Sequence, residues 1–251
     1  MFAFLSKWRQ ERIIRRSTIT GQQWQQALNR LPLLDRLDDN DKSRLIRLSI
    51  LFLHEKSLEG AHHLELTGEM KRIIALQACL PILNLGLDWY DGWYSVIVYP
   101  AQFIPERKYI DEYGIEHRSN DVLSGESWHR GPVVLSWEDT EHAGEIDGHN
   151  LVIHEFAHKL DVLNGAANGF PPLHRGMDVT QWVDSFSEAY NDFHNRLLNR
   201  DELPIDRYAA SSPAEFFAVI SEVFFEQPDV VNRYYPGVFH QLKQFYRQEP
   251  F

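Results

Sequence analysis

The sequence predicts an α+β fold, and three features indicate it. Apolar residues recur at helical spacing through the first and last thirds of the chain. Residues 93–99 and 132–137 are instead rich in β-branched and apolar residues, as is typical of strands. Residues 150–164, which follow the second of these segments, read as one buried helix. We therefore expect a small mixed sheet beside a functional helix, preceded by a helical N-terminal part.

In the first third, two helices are predicted. Acidic residues at 38–41 favour a helix start, and apolar residues at 45–52 form its inward stripe. A second helix covers about residues 69–80, and Pro81 ends or kinks it.

The middle of the chain holds the predicted strands. Residues 93–99 form one, ending before Pro100, and residues 132–137 form another. The stretch 101–131 between them reads as a long irregular or hairpin region. If strand 132–137 lies at a sheet edge, its unpaired N–H and C=O groups are available to an extended peptide. If it is internal, they are covered, and the sequence leaves both arrangements open.

The last third is predicted to be helical again. One helix covers about residues 179–198. Another begins at Pro213, with Ser212 as its cap, and buries a run of apolar residues through 224. A final amphipathic helix covers about residues 238–246.

The stretch His154-Glu155-Phe156-Ala157-His158 is the pattern of a zinc hydrolase. Histidines four residues apart on a helix share one face, so both can reach one Zn²⁺ ion. Glu155 can then reach a water molecule beside the metal and act as a general base. Asn150 caps this helix and Asn164-Gly165 stops it.

A hydrolytic zinc site usually has a third protein ligand and one open position. Asn164 is a poor candidate because amides bind zinc weakly. Asp161 shares the helical face of His154, but one straight helix cannot easily wrap three ligands around a tetrahedral ion. Asp161 is better suited to orienting a histidine or bonding nearby backbone.

Two glutamates on later helices remain. Glu215 has apolar neighbours on both sides, and a carboxylate among core residues requires a partner. Glu188 lies in a more polar helix, so we favour Glu215 and keep Glu188 as the alternative. Glu222 follows one heptad after Glu215 and its role is open. Tyr208 either fills a loop against the core or donates a hydrogen bond to a reacting oxyanion.

Composition limits the function. The chain has 251 residues and a formal charge of −11, which argues against direct nucleic-acid binding. Its one cysteine, Cys79, cannot form an internal disulfide and fits a reducing compartment. No segment is long enough to span a membrane, and the N-terminal charges follow the apolar residues, unlike a secretory signal. We therefore expect a cytoplasmic location.

Residues 7–16 hold five basic residues and one acid, which suits a solvated helix or frayed tail, or contact with an anionic surface or partner.

Several segments together resemble the Mlc titration factor A family of bacterial zinc metallopeptidases. They are residues 154–161, Asn164-Gly165, Tyr208-Ala209-Ala210, Pro213-Ala214-Glu215, 85–89, Trp128, Gly131-Pro132 and 244–246. The resemblance covers most of residues 25–250. The catalytic part is also similar to the peptidase domain of anthrax lethal factor, which has a comparable helix and a tyrosine seven residues before its glutamate ligand.

The resemblance implies a zincin-like metallopeptidase domain at residues 85–251, preceded by a helical region at 1–84. It implies one Zn²⁺ ion per chain bound by His154, His158 and Glu215, with Glu155 as general base and Tyr208 steadying the transition state. It further implies aminopeptidase activity on short peptides. It also implies binding to the glucose repressor Mlc, which relieves repression of sugar-uptake genes of the phosphotransferase system.

Two other functions are considered. The chain could be a non-catalytic regulator that sequesters a transcription repressor, with zinc in a structural role; its acidic charge suits a partner with a basic DNA-binding face. A zinc esterase or deaminase is the weaker alternative, because zinc nucleobase deaminases need a Cys-x-x-Cys pair.

Overall fold

The computed structural model describes residues 2–101, 107–110, 116–119, 125–127 and 131–250, and the side chains of 7–101 and 131–250. Within these residues the fold is mostly helical with a small sheet. The α-helices in chain order are α1 Phe2–Arg16, α2 Gly21–Leu28, α3 Asp39–Glu55, α4 Gly68–Cys79, α5 Trp137–His142, α6 Leu151–Asp161, α7 Val179–Asn199, α8 Pro213–Glu226, α9 Pro228–Tyr234 and α10 Pro236–Tyr246. The strands are β1 Ser57–Gly60, β2 Ser95–Tyr99, β3 Arg107–Ile110, β4 Glu116–Ser119, β5 Gly125–Ser127 and β6 Val133–Ser136.

The helices predicted from sequence are present, and their ends follow the predicted caps. Asp38 caps α3, and its side chain accepts from the backbone N–H of Asp41. Helix α4 ends at Cys79, before Pro81. Ser212 caps α8, whose first residue is Pro213. Helices α2, α5 and α9 and strand β1 were not predicted. The first three are short, with 8, 6 and 7 residues, so periodicity has little length in which to show.

The main sheet has the order β1-β2-β6-β5. Strands β1, β2 and β6 are parallel, and β5 runs antiparallel to β6. The prediction of a small mixed sheet is therefore confirmed. Strand β6 has partners on both sides, so the edge position considered for residues 132–137 is wrong, and the backbone of β6 is not free to bind a peptide.

The stretch 101–131 contains an antiparallel pair, β3 with β4, and strand β5. The pair agrees with the hairpin that was one expectation for this region. Trp128, which contributed to the family resemblance, lies outside the described residues.

One hydrophobic core extends from Trp24 on α2 to Tyr246 on α10. Strand β1 comes from the N-terminal region and pairs with β2 from the following region. The division at residue 84 into a helical region and a metallopeptidase domain stays a prediction. In the described part of the chain, no helix has the length and apolar character needed to cross a membrane.

Helix α6 lies at the centre of the core. It packs against α8 and against strands β5 and β6. Its apolar face presents Phe156, whose ring centroid lies 5.1 Å from that of Tyr90, 5.6 Å from Trp93 and 5.7 Å from Phe52. Such edge-on and tilted contacts hold the ring of Phe156 from several sides. The opposite face of α6 is thereby fixed relative to α8.

The N-terminus of α6 is held by a buried polar network. Asn150 caps the helix through its Oδ1, which accepts from the N–H of Ile153 at 2.9 Å. Its Nδ2 donates to Gln77 of α4 at 2.9 Å and to Glu226 of α8 at 3.0 Å. The other oxygen of Glu226 accepts from the N–H of Gly148 at 2.9 Å. One asparagine thus joins three helices in a region closed to water.

Burial raises the pKa of Glu226 to about 7, although its hydrogen bonds from Asn150 and Gly148 act in the opposite direction. This pKa lies above the value of about 4.5 for an unfolded glutamate, so the folded state holds the proton more tightly. Between these two values, raising the pH removes the proton from the unfolded state while the folded state keeps it, so the free energy of unfolding falls. The contribution of Glu226 is present in full below the lower pKa and is lost as the pH rises through the higher one.

We therefore expect the unfolding free energy of the wild type, minus that of Glu226→Gln, to fall as the pH rises from about 5 to about 8. This difference in unfolding free energy should fall by about 3 kcal/mol, because each unit between the unfolded and folded pKa of Glu226 contributes about 1.4 kcal/mol. Urea denaturation of both proteins across this range measures it, and other titrating groups cancel in the difference. Parallel stability curves would show that Glu226 keeps the same pKa on folding.

Candidate metal centre

Helix α6 brings two imidazoles together. His154 and His158 are one turn apart, and their Nε2 atoms lie 3.2 Å from each other. Both side chains are mostly buried, at 11% and 13% exposure. They occupy the face of α6 opposite the aromatic contacts of Phe156. The spacing predicted from the sequence is therefore realised in the fold.

Helix α8 supplies the third group. Glu215 lies in its first turn, where its N–H donates to the Oγ of Ser212 at 3.2 Å. Its Oε2 lies 3.1 Å from Nε2 of His154 and 3.3 Å from Nε2 of His158. The three donor atoms fall within 4.8 Å of one another.

These three residues fit a zinc ion. The Nδ1–H of His154 donates to Oε1 of Glu222 at 2.7 Å, so in a neutral, metal-binding imidazole the lone pair of Nε2 faces His158 and Glu215. A carboxylate oxygen and two imidazole nitrogens then meet at one point, where either a shared proton or a metal cation stabilises them. Two histidines and one glutamate are a common ligand set of catalytic zinc.

The charges of the group are strongly coupled. Burial lowers the pKa of His154, but the carboxylates of Glu222 and Glu215 outweigh it and raise the pKa well above its ordinary value. Burial would raise the pKa of Glu215, yet hydrogen bonds from His154 and His158 hold it well below its usual range. The carboxylates thus create a strongly negative position between the imidazoles, which favours a divalent cation.

Glu155 lies beside this group and is 3% exposed. Its Oε2 is buried and has no hydrogen-bond partner among the described residues. Burial raises its pKa to about 7, against the opposing effect of His154 and His158. An unsatisfied buried carboxylate oxygen is costly unless a water molecule or a substrate meets it. The side chain is therefore suited to exchange a proton near neutral pH.

Tyr208 lies near His154, on a short 3-10 helix at Arg207–Ala210. Its ring centroid lies 6.0 Å from that of His154, and the side chain is 47% exposed. Tyr208, His154 and Glu155 line one cleft of about 720 Å³. A volume of this size admits a small organic ligand or a short peptide.

Glu222 ties the group to the start of α6. Its Oε1 accepts from His154, and its Oε2 accepts from the backbone N–H of Asn150 at 2.5 Å. Both bonds reach a carboxylate that is 6% exposed. The sequence left the role of Glu222 open; the structure shows that it orients the His154 ring.

The other acids considered as ligands lie elsewhere. Glu188 is exposed on α7 and does not belong to the group. Asp161 accepts from the N–H groups of Gly169 and Phe170, each at 2.8 Å. It therefore bonds nearby backbone, which was one of its two expected roles, and holds the loop that follows α6. Asn164 also bonds to this loop, through the carbonyl of Phe170.

Sequence reasoning missed Glu226 and Gln77. Glu226 ends the apolar run Val223-Phe224-Phe225, and it lies four residues after Glu222 on the same face of α8. An acid in that setting is as unusual as Glu215, and the same argument could have found it. Gln77 has no comparable signal.

Comparisons with known proteins show which family the chain is similar to. The model of the family described as glucose-regulated metallo-peptidase M90 matches residues 5–247. Proteins called Mlc titration factor A are similar over 92% of this chain and 88% of their own length. That of Escherichia coli O9:H4 (strain HS) is 41% identical over 236 residues, as is that of Shigella sonnei (strain Ss046). That of Shigella flexneri is 40% identical over 233 residues.

The network around Glu222 predicts its effect on metal binding. In Glu222→Gln, the amide can still accept from His154 through its oxygen, but its NH₂ group then faces the N–H of Asn150. We expect zinc affinity to fall about 10- to 100-fold, since groups that orient a metal-binding histidine have effects of this size. Competition with a chromophoric chelator measures the affinity.

Two further variants serve as controls for the zinc affinity. Glu215→Ala should lose zinc almost completely, whereas Glu188→Ala, which removes an exposed acid of α7, should bind zinc as the wild type does. If Glu215→Ala retained zinc and Glu188→Ala lost it, the third ligand would be Glu188 of α7 instead of Glu215.

Proposed function

The chain belongs to the glucose-regulated metallo-peptidase M90 family, and from this premise we propose that it hydrolyses peptides with a zinc ion held by His154, His158 and Glu215. Membership confirms the resemblance to Mlc titration factor A found in the sequence. Within the proposal, the substrates are short peptides cleaved at the N-terminus, and the protein acts in the cytoplasm.

One observation carries the proposal. Three donor atoms from two helices meet within 4.8 Å, and a buried carboxylate oxygen without a partner among the described residues lies next to them. A purely structural zinc site would have no use for that oxygen, because structural sites are closed by four protein ligands. Glu155 instead supports a catalytic site with one open position.

The chemistry assigned to the residues follows from their places. When bound, zinc polarises the scissile carbonyl and increases the acidity of water. Glu155 takes one proton from the attacking water while the oxygen of that water bonds to the carbonyl carbon. The C–N bond then breaks, and Glu155 returns the proton to the leaving amine. Tyr208 donates a hydrogen bond to the oxygen that carries the developing negative charge. Glu222 keeps the His154 ring in orientation throughout.

The charge of the cleft supports N-terminal cleavage. Glu138, Asp139, Asp147 and Asp206 line it, and no lysine or arginine is among its lining side chains in the described part of the chain. A free peptide amine is positively charged at neutral pH. Carboxylates around the cleft attract that amine, whereas an internal peptide segment offers no such charge.

We expect Glu155→Gln to retain zinc and to lower kcat on an alanine p-nitroanilide reporter by at least about 100-fold, because the amide cannot accept the proton. Tyr208→Phe should lower kcat by about 100-fold with little change in KM, since its hydrogen bond forms mainly in the transition state. Steady-state kinetics and metal analysis of the same samples give both quantities.

Two controls accompany these variants. Tyr94→Phe removes the hydroxyl of another exposed tyrosine, one that does not line the cleft, and should leave kcat unchanged. Native turnover in a zinc-loaded Glu155→Gln protein would exclude Glu155 as the base.

We further propose that the chain binds an Mlc-type transcriptional repressor. The support is the name of its relatives, Mlc titration factor A, and the formal charge of −11, which suits a partner with a basic DNA-binding face. In the alternative function, this binding is the whole activity and zinc is structural. Catalysis and binding can also coexist if they use different surfaces.

The Glu155→Gln protein separates these functions. If repression is relieved by binding alone, this variant should bind the repressor as tightly as the wild type and release it from its operator, without peptide turnover. Fluorescence anisotropy of a labelled operator measures the release. Loss of release in Glu155→Gln, with zinc retained, would show that peptidase chemistry is required.

A further inference from the structure

A second pocket lies away from the metal centre, between α1 and α3. Its volume is about 470 Å³, within the range of small-molecule sites. Three arginines of α1 line it, namely Arg9, Arg12 and Arg16, and no acidic side chain of the described residues does. The pocket shares no lining residue with the cleft of Tyr208.

Among the residues that the structure describes, the three arginines have no carboxylate partner. Positions 9, 12 and 16 fall on one face of α1. No hydrogen bond or ion pair joins their guanidinium groups to the residues that the structure describes. This is unusual in a chain with 36 acidic and 25 basic residues. Between the same helices, Glu11 of α1 does pair with Arg47 of α3.

The pocket also has an apolar side. Ile13 of α1 and Ile50 and Leu53 of α3 line it together with the arginines. An inorganic anion alone would leave this surface unused, whereas an organic group would bury it. The lining therefore combines positive charge with apolar side chains.

Guanidinium groups bind phosphate through paired N–H donors, and a phosphate monoester carries nearly two negative charges at neutral pH. We propose that this pocket binds a phosphate ester whose organic part is apolar or aromatic. Arg12 and Arg16 form the centre of the site. Arg9 lies at its boundary, because it also lines a neighbouring cleft with Asp88 and Asp91.

Arg15 provides a matched control. It is exposed on the same helix, and it does not line the pocket. Its replacement by glutamine changes the net charge of α1 by the same amount as replacement of Arg12 or Arg16. A difference between these variants therefore reports on the pocket and not on the general attraction of an anion to a basic helix.

The test is calorimetric titration of the zinc-loaded protein with phenyl phosphate. Arg12→Gln and Arg16→Gln should each weaken binding about tenfold or more, the effect of losing one charged hydrogen-bonded contact. Arg15→Gln should change it less than about twofold, as expected for a distant, screened charge. Inorganic phosphate should bind the wild type about tenfold more weakly than phenyl phosphate, because the apolar side chains of the pocket stay exposed to water.

Three results would overturn the proposal. One is the absence of binding by the wild type up to about 10 mM phenyl phosphate. Another is an equal loss of affinity in Arg15→Gln. The third is binding that survives Arg12→Gln and disappears in Glu215→Ala, which would assign the anion to the metal centre.

The ester could be a soluble metabolite or a lipid headgroup, and vesicles distinguish these sources. Co-sedimentation with phosphatidylcholine vesicles containing phosphatidic acid, reversed by phenyl phosphate and weakened by Arg12→Gln, supports the site with a headgroup as its ligand. Binding of phenyl phosphate without co-sedimentation supports a soluble ester. Sedimentation that Arg12→Gln does not weaken contradicts the pocket as the lipid site.

Discussion

The arrangement of the candidate metal centre depends on one buried carboxylate. Glu222 accepts a hydrogen bond from His154 with one oxygen and from the backbone of Asn150 with the other. The first bond fixes which nitrogen of His154 faces Glu215, and the second holds the N-terminus of α6 against α8. Because both bonds end on a single rigid group, the orientation of the ring and the position of its helix cannot change independently.

This carboxylate belongs to a set of buried acids that would each be costly alone. Glu155, Glu226 and Asp161 are also almost fully buried, and burial raises the pKa of all three. Backbone N–H groups satisfy Asp161, and Asn150 and Gly148 satisfy Glu226. Of these four buried acids, only Glu155 keeps a buried oxygen without a partner among the described residues; outside this set, Asp139 of the cleft has such an oxygen too. The protein thus compensates the acids that support the site and leaves unsatisfied the one that the proposed reaction needs.

Charge is distributed unevenly over the molecule, and the two pockets reflect it. Acidic side chains surround the cleft at the metal centre, and arginines surround the pocket between α1 and α3. A positively charged peptide end and an anionic ester would be drawn to different places. The proposed peptidase activity and the proposed phosphate-ester site are therefore physically separate, and a ligand of one has no direct contact with the residues of the other.

Local signals in the sequence determined most helices, their caps, the strands at 95–99 and 133–136, and the pairing of His154 with His158 across one turn. Each of these depends on residues only a few positions apart, where periodicity and capping act directly. Burial cost also identified Glu215 as the glutamate that requires a partner. The tertiary structure alone decided the strand order, the internal place of β6 and the contacts of Glu222 and Glu226. Glu222 meets a residue 68 positions away and Glu226 one 76 positions away, and only the packing of α8 on α6 sets such distances.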